Sequence, residues 1–409
     1  MARIFGQHDE ATIAQLKNVE AHAARAALMA DGHVGYVMPI GGVAAYDDQV
    51  SVVGVGFDIA CGNAAIRTDL KLSDFGATPD ETGRTLNRFA DAIQAQISFG
   101  IGRKNLADDA PVDDPLFDSP AWNAIPQSHR AELQKKAREQ LGTVGSGNHY
   151  VDVFAGENDT IWVGVHFGSR GFGHTVASGF LALGQNKPWG TRVPETEVLL
   201  PLSNPLGHDY WELMQLAGEY AYAGREWVAR KVVQILGGRE IELVHNHHNF
   251  AWRENHDGRE LIVVRKGATP AFPGQKSFIG GSMGDDAVIV QGTPLEHADK
   301  QTRELQHESL YSTVHGAGRI MSRTVAAGKR KRHSGKIIKP GLVTREMMDS
   351  WVRAKGVVLR GGGLDESPHV YRRLPEVLAA QGHTIEVLHT LRPLIVVMAG
   401  ANEFDPYKD

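Results

Sequence analysis

Gly54-Val55-Gly56-Phe57-Asp58-Ile59-Ala60-Cys61-Gly62-Asn63 carries the single cysteine of a 409-residue chain. A carboxylate three residues ahead of a thiol, in a glycine-rich turn, has the layout of a metal clamp. Sulfur binds soft and borderline divalent ions well, and a lone cysteine forms no intrachain disulfide. Many buried cysteines serve only as small apolar residues. Here the Asp58 partner and the flanking glycines favour a ligand role. Upstream, Val50 to Gly56 reads as a buried strand that delivers the turn. The remaining ligands must come from elsewhere, and four histidine motifs follow: Gly147-Asn148-His149, His166-Phe167-Gly168-Ser169-Arg170-Gly171, His247-His248-Asn249 and His315-Gly316-Ala317-Gly318-Arg319.

A site drawing on positions 58 to 315 uses most of the chain. One α/β (α+β) unit over residues 1–409 is therefore expected, with no separable domains, internal repeat or low-complexity tract. Hydrophobic residues make up 42% of the chain, enough for a large core. Thr12 to Ala30 is alanine-rich and helical in pattern. Arg84 to Ile97 and Arg130 to Leu141 read as amphipathic helices, with a Pro/Asp-rich loop at 107–120 between them. Tyr210 to Leu236 is the longest helical stretch and stops at Gly237-Gly238. Ile161 to His166, Ile241 to His245, Leu261 to Val264, Ala287 to Val290, Val357 to Leu359 and Leu394 to Val397 read as core strands. The candidate sites thus fall at strand ends and in glycine-rich turns, where a rigid scaffold presents chemistry.

The formal net charge of -5 excludes a basic nucleic-acid coat, so any polyanion site is a local patch. The one dense basic run, Lys329-Arg330-Lys331-Arg332, reads either as a solvated face or as a contact to a nucleic-acid backbone. No stretch has the apolar length of a membrane span, and residues 1–20 lack a signal-peptide pattern, so a cytoplasmic protein is expected.

His149 follows the loop Gly142-Thr143-Val144-Gly145-Ser146-Gly147-Asn148, whose backbone N–H groups suit a phosphate. His166 leaves a strand and is followed by Ser169 and Arg170, a sensible metal-plus-phosphate layout. In His245-Asn246-His247-His248-Asn249 one or two histidines at most are ligands, and His248 is the choice. The His315 loop lacks the Gly-Lys-Ser/Thr ending of a Walker A loop, and no Gly-x-Gly-x-x-Gly fingerprint occurs. Its histidine is a structural group, a ligand or a nucleophile, and spacing does not choose among them.

In order along the chain, these motifs resemble the RtcB family of RNA ligases. The likeness runs from Asp31-Gly32-His33-Val34-Gly35 to Gly400. It includes Gly281-Ser282-Met283-Gly284, Met321-Ser322-Arg323 after the His315 loop, and Thr390-Leu391-Arg392-Pro393. The resemblance implies mixed β-sheets surrounded by helices, with a metal site in a central cleft. It implies two manganese ions bridged by Cys61, one completed by His166 and His248, the other by Asp58 and His149. Zinc is an alternative occupant of such a donor set. His315 becomes the nucleophile toward GTP, giving a histidine–GMP. Asn148, Asn249, Ser282 and Tyr371 become nucleotide contacts, and Arg170 and Arg319 phosphate or RNA contacts. The implied substrates are RNA 3′-phosphate or 2′,3′-cyclic phosphate ends and 5′-hydroxyl ends, with an archease-like activator as a possible partner and no membrane.

Three departures stand out. Met398 takes the place of a family lysine that contacts guanine, the chain continues past it through Glu403 to Asp409, and Asp152 replaces a glutamate. The first two imply weaker selection of guanine. Rival readings are a divergent paralogue with another nucleotide or an end-capping activity, a metal-dependent RNA phosphodiesterase, and a non-catalytic RNA-binding protein.

Overall fold

The computed structural model of the chain describes residues 1–330, 337–400 and 403. Its largest sheet has eight strands, in the order Lys276–Ile279, Ala287–Gly292, Ile385–Met398, Tyr150–Ala155, Thr160–Phe167, Gly62–Lys71 and Glu240–His247. Val358–Arg360 adds in parallel along Ile385–Met398, and the other pairings are antiparallel. A second, five-stranded sheet runs Arg3–Ile4, Arg25–His33, Ile40–Tyr46, Arg259–Lys266, Asn249–His256. A two-stranded ribbon, Ala268–Pro270 with Ser312–Val314, follows on from the second sheet.

Helices cover these sheets, giving an α+β architecture with mixed sheets. Pro79–Gln96 and Pro205–Leu236 bury Leu86, Ala90, Ile93, Val228 and Val232 against Val151, Val163, Val165 and Ile395 of the large sheet. Both helices start at an Ncap oxygen followed by proline. Asn204 Oδ1 accepts the Gly207 N–H at 2.9 Å, and the long helix ends where Gly237 takes φ +80°.

Antiparallel order is what positions the site. Four adjacent strands alternate in direction, so starts and ends meet at one edge. His149 immediately precedes Tyr150–Ala155, His166 lies at the end of Thr160–Phe167, Cys61 precedes Gly62–Lys71, and His248 follows Glu240–His247. The register agrees: Gly62 stands opposite Phe167 on one side and His247 on the other, and Tyr150 opposite His166.

Two sequence expectations are corrected. The alanine-rich stretch is helical only over Glu10–Glu20, and Arg25–His33 is a strand. Ala27, Leu28 and Met29 are fully buried there between the Arg3–Ile4 and Ile40–Tyr46 strands, and this pairing overrides local helix propensity. The Val50 to Gly56 strand stops at Ser51, whose Oγ accepts the Gly54 N–H at 2.8 Å and caps a single helical turn, Val52–Val55. The other expected helices and strands coincide with observed ones, with Ile97, Leu141 and Val357 each one residue outside. Of the basic run, Lys329 is exposed, while Lys331 and Arg332 lie outside the described residues.

Candidate functional site

Cys61 is shared by two donor sets. Cys61, His166 and His248 form one and Asp58, Cys61 and His149 the other, with the ligating atoms of each set within 4.8 Å of one another. The thiol Sγ lies 3.6 Å from His166 Nε2 and 3.7 Å from His149 Nε2, and the latter is 3.0 Å from Asp58 Oδ2. Cys61, His149, His166 and His248 are buried and Asp58 is half-buried. His248 Nδ1 has no hydrogen-bond partner among the described residues, and Asp58 Oδ2 meets only His149 of the same cluster. Buried polar atoms left without partners are costly, and here they converge with a thiol. The residues therefore fit metal ions, as a mixed set of one thiol, three imidazoles and one carboxylate.

The electrostatics agree. Burial pushes the Cys61 thiol up, and Asp58 adds to it, so the thiolate needs a compensating positive charge. Burial also opposes the Asp58 carboxylate, but the His149 ring and the Arg170 guanidinium outweigh it and hold the group at about 2. Burial keeps His149, His166 and His248 below the ordinary histidine value, in the neutral form that ligates. Gly168 stands where a Cβ would come within 2.3 Å of Asp58 Oδ1, so only glycine leaves the carboxylate its place.

His315 stands beside this cluster, its ring centroid 4.9 Å from that of His248. Its Nδ1 is 2.6 Å from Asp31 Oδ2, which also accepts the backbone N–H groups of His315 (2.9 Å) and Gly316 (3.3 Å). With Nδ1–H donated to a carboxylate, the lone pair is on Nε2. The ribbon Ala268–Pro270/Ser312–Val314 presents this histidine, and Asp31 comes from the Arg25–His33 strand.

The remaining sequence candidates divide between the cluster and its surroundings. Asn148 Nδ2 is 3.4 Å from His166 Nε2, and Arg170 Nη1 is 3.3 Å from His149 Nδ1. Asn249 Oδ1 accepts the Gly267 N–H at 2.7 Å. Gly147, at φ +68°, leaves room for the Arg323 guanidinium. Arg319 is engaged with Asp365 O (2.7 Å), Tyr371 Oη (3.0 Å) and the Glu366 carboxylate, to which Tyr371 also donates. Ser282 Oγ donates to Asp285 Oδ2 at 2.5 Å, and Asp285 pairs with Arg373 at 2.7 Å. Met398 is buried with Met283 and against Tyr150, whose ring stacks on His166 at 5.3 Å. Asp152 is buried and its Oδ1 has no hydrogen-bond partner among the described residues; burial pushes its carboxyl well up.

Sequence reasoning missed four residues here. In the sequence Asp31 shows only as the start of a motif. Asn63 accepts His166 Nδ1–H at 2.6 Å, and its own amide donates to Phe278 O at 2.8 Å, which settles the tautomer and aims His166 Nε2 at the thiol. Arg225 is fully buried on the long helix and donates to Ala60 O (2.8 Å), Phe167 O (2.6 Å), His245 Nε2 (3.0 Å) and His247 Nδ1 (2.8 Å). Its signal was a charge at i+4 spacing after Ala217 and Ala221, on the apolar stripe of the helix. Lys266 is buried and donates to Val53 O at 3.0 Å, with its ammonium pushed down to about 8 by burial.

The sequence profile of the family described as tRNA-splicing ligase RtcB matches residues 11–399. The chain is 31% identical to the tRNA-splicing ligase RtcB of Archaeoglobus fulgidus, over 90% of this chain and 86% of that protein. It is 30% identical to the RNA-splicing ligase RtcB of Escherichia coli K12, over 91% and 89%. It is also 30% identical to the tRNA-splicing ligase RtcB of Thermococcus kodakarensis, over 86% and 82%. With a profile that spans almost the whole chain, and relatives matched along most of their own length, the chain belongs to the RtcB family of tRNA-splicing ligases.

Proposed function

We propose that this RtcB-family enzyme is a GTP- and Mn²⁺-dependent RNA ligase. It joins RNA 3′-phosphate or 2′,3′-cyclic phosphate ends to 5′-hydroxyl ends through a histidine–GMP, in RNA repair or tRNA splicing. The observation that carries the reading is His315, with Nδ1 tied to Asp31 at 2.6 Å and its ring against the donor cluster. Held by Asp58, Cys61, His149, His166 and His248, two ions would neutralise phosphate charge and polarise the phosphoryl group. By accepting the hydrogen bond, Asp31 keeps the proton on Nδ1 and leaves the Nε2 lone pair for attack on the α-phosphorus of GTP. The N–P bond forms, the bond to pyrophosphate breaks, and the Asp31 carboxylate stabilises the resulting imidazolium.

A 2′,3′-cyclic end is first opened by water, breaking the bond to the 2′-oxygen and leaving a 3′-phosphate; GMP then passes to that 3′-phosphate, breaking the N–P bond and restoring the histidine. The 5′-hydroxyl attacks the activated phosphate, and GMP leaves. In this reading Asn148, Asn249, Ser282 and Tyr371 hold the nucleotide, while Arg170 and Arg319 serve the phosphates. An archease-like activator and a cytoplasmic setting accompany it. Met398 offers no hydrogen bond to a base, which favours a second reading in which the same chemistry runs with a less strict choice of nucleotide.

The test is His315→Ala, with metal content and covalent nucleotide measured on the same preparation. Metal content is expected to match wild type, no covalent GMP to form, and end joining to be lost. A variant that sheds its metals would make His315 a ligand and favour the phosphodiesterase reading. Retained ligation would end the covalent mechanism.

A further inference from the structure

A short segment beside the site is left unused by the chemistry above. His33 ends the strand bearing Asp31, and residues 34–39 then cross to the Ile40–Tyr46 strand. On this crossing Tyr36 is 52% exposed and Val34 48%. The crossing is pinned: Gln15 Nε2 donates to the carbonyls of Gly35 and Tyr36, both at 2.8 Å, and Gln15 Oε1 accepts the Gly35 N–H at 3.0 Å. The Tyr36 ring meets that of Phe57 edge-on, centroids 6.0 Å apart, and Phe57 lies 5.6 Å from the His174 ring. Phe57 immediately precedes Asp58, and His174 is one turn into the helix that begins at Arg170. A row of rings therefore skirts the donor cluster.

Cations border the row. Lys266 Nζ is 5.5 Å from the Tyr36 ring centroid but is buried under it on Val53 O, so the charge an RNA backbone can reach is that of Lys136 and Arg170. Lys136 reaches across to Gly171, where a Cβ would lie 2.9 Å from its Nζ. Arg170 is beside His149. An isolated exposed aromatic is ordinary on a protein surface. Rings in series, flanked by cations and continuous with a phosphate-handling centre, match the way single strands are held: bases stack on rings and the backbone follows positive charge. Stacking of this kind tolerates any base, which suits an enzyme that acts on strand ends.

The geometry points to Tyr36, Phe57 and His174 as a base-stacking platform for the single-stranded RNA next to the reacting end, an assignment that rests on the ligase reading. Its probe is a fluorescent single-stranded RNA of about ten nucleotides with a 3′-phosphate, titrated by anisotropy into the metal-loaded protein. Tyr36→Ala, first shown to carry normal metal, is expected to raise the Kd about tenfold, and Tyr36→Phe to leave it near wild type. Removing the bases of the terminal nucleotides should weaken binding to wild type and have little further effect on Tyr36→Ala. Wild-type affinity in Tyr36→Ala, or an equal abasic penalty in both proteins, would overturn the platform. So would a variant that lost only its response to a protein activator. Failure of the parent reading looks different: wild-type protein would then form no covalent GMP, whatever Tyr36 does to RNA affinity.

Discussion

Ala60 sits at φ +59°, in the left-handed region that disfavours a side chain by roughly 1–2 kcal/mol. It is held there by its N–H to Asn249 O at 2.7 Å and by its carbonyl to Arg225. The turn brings the Cys61 N–H to Asp58 O at 3.0 Å and the Cys61 carbonyl to the His248 N–H at 2.9 Å. One residue thus ties both histidine-bearing sides to the carboxylate by backbone as well as by sulfur. Cys61→Ala is expected to remove metal and ligation together while the fold persists, because one small side chain replaces another. Metal analysis and circular dichroism on the variant check this, and full metal with normal joining would refute the shared role of the thiol. The residue types were legible beforehand, since Asp, Cys and His advertise ligand chemistry. Asn63 was not, because an amide announces nothing until its partner is known.

The long helix Pro205–Leu236 does more than cover the sheet. Through Arg225 it binds the carbonyl before Cys61 and the carbonyl of Phe167, and so clamps two donor-bearing edges to one rigid rod. Burial lowers the Arg225 guanidinium only to about 10, leaving it charged near the thiol. Arg225→Met would strand two buried carbonyls, each worth about 1–3 kcal/mol. The expected outcome is a loss of about 3 kcal/mol in stability, read from the denaturant midpoint, with a weaker metal affinity that Arg225→Lys partly restores. Unchanged metal affinity in Arg225→Met would show the clamp to be dispensable. Helices with clear stop and start signals were readable, as in the Pro205–Leu236 and Pro79–Gln96 segments. The Arg25–His33 segment was not, since its alanines report a local preference and its neighbours in the sheet decide otherwise.

Across the whole molecule, the centre draws Cys61 and His166 from the edge of the large sheet, Asp31 from the second sheet, and His248 from the junction between them. Metal binding must therefore favour the assembled state. Where free metal exceeds its Kd a hundredfold, the linkage adds about 2.7 kcal/mol. Chelation should lower the thermal midpoint of the wild-type protein, and metal should restore it, while Cys61→Ala should respond to neither. A midpoint indifferent to chelator would mean that the donors bind no ion tightly. No helix among the described residues is long and apolar enough to cross a membrane.

The order of motifs from Asp31 to Gly400 was enough to place the chain in its family, and spacing alone exposed the glycine turns and the histidines. Those are properties of residues and their near neighbours, which a sequence displays directly. Which donor side chains lie together, and which nitrogen of His166 points at Cys61, depended on strands meeting edge to edge. The pairing of His315 with Asp31 joins positions 284 residues apart, and the burial of Arg225 depends on carbonyls from two distant strands. Local pattern carries no record of such partners, because the energy that selects them arises only when the chain has closed around the site.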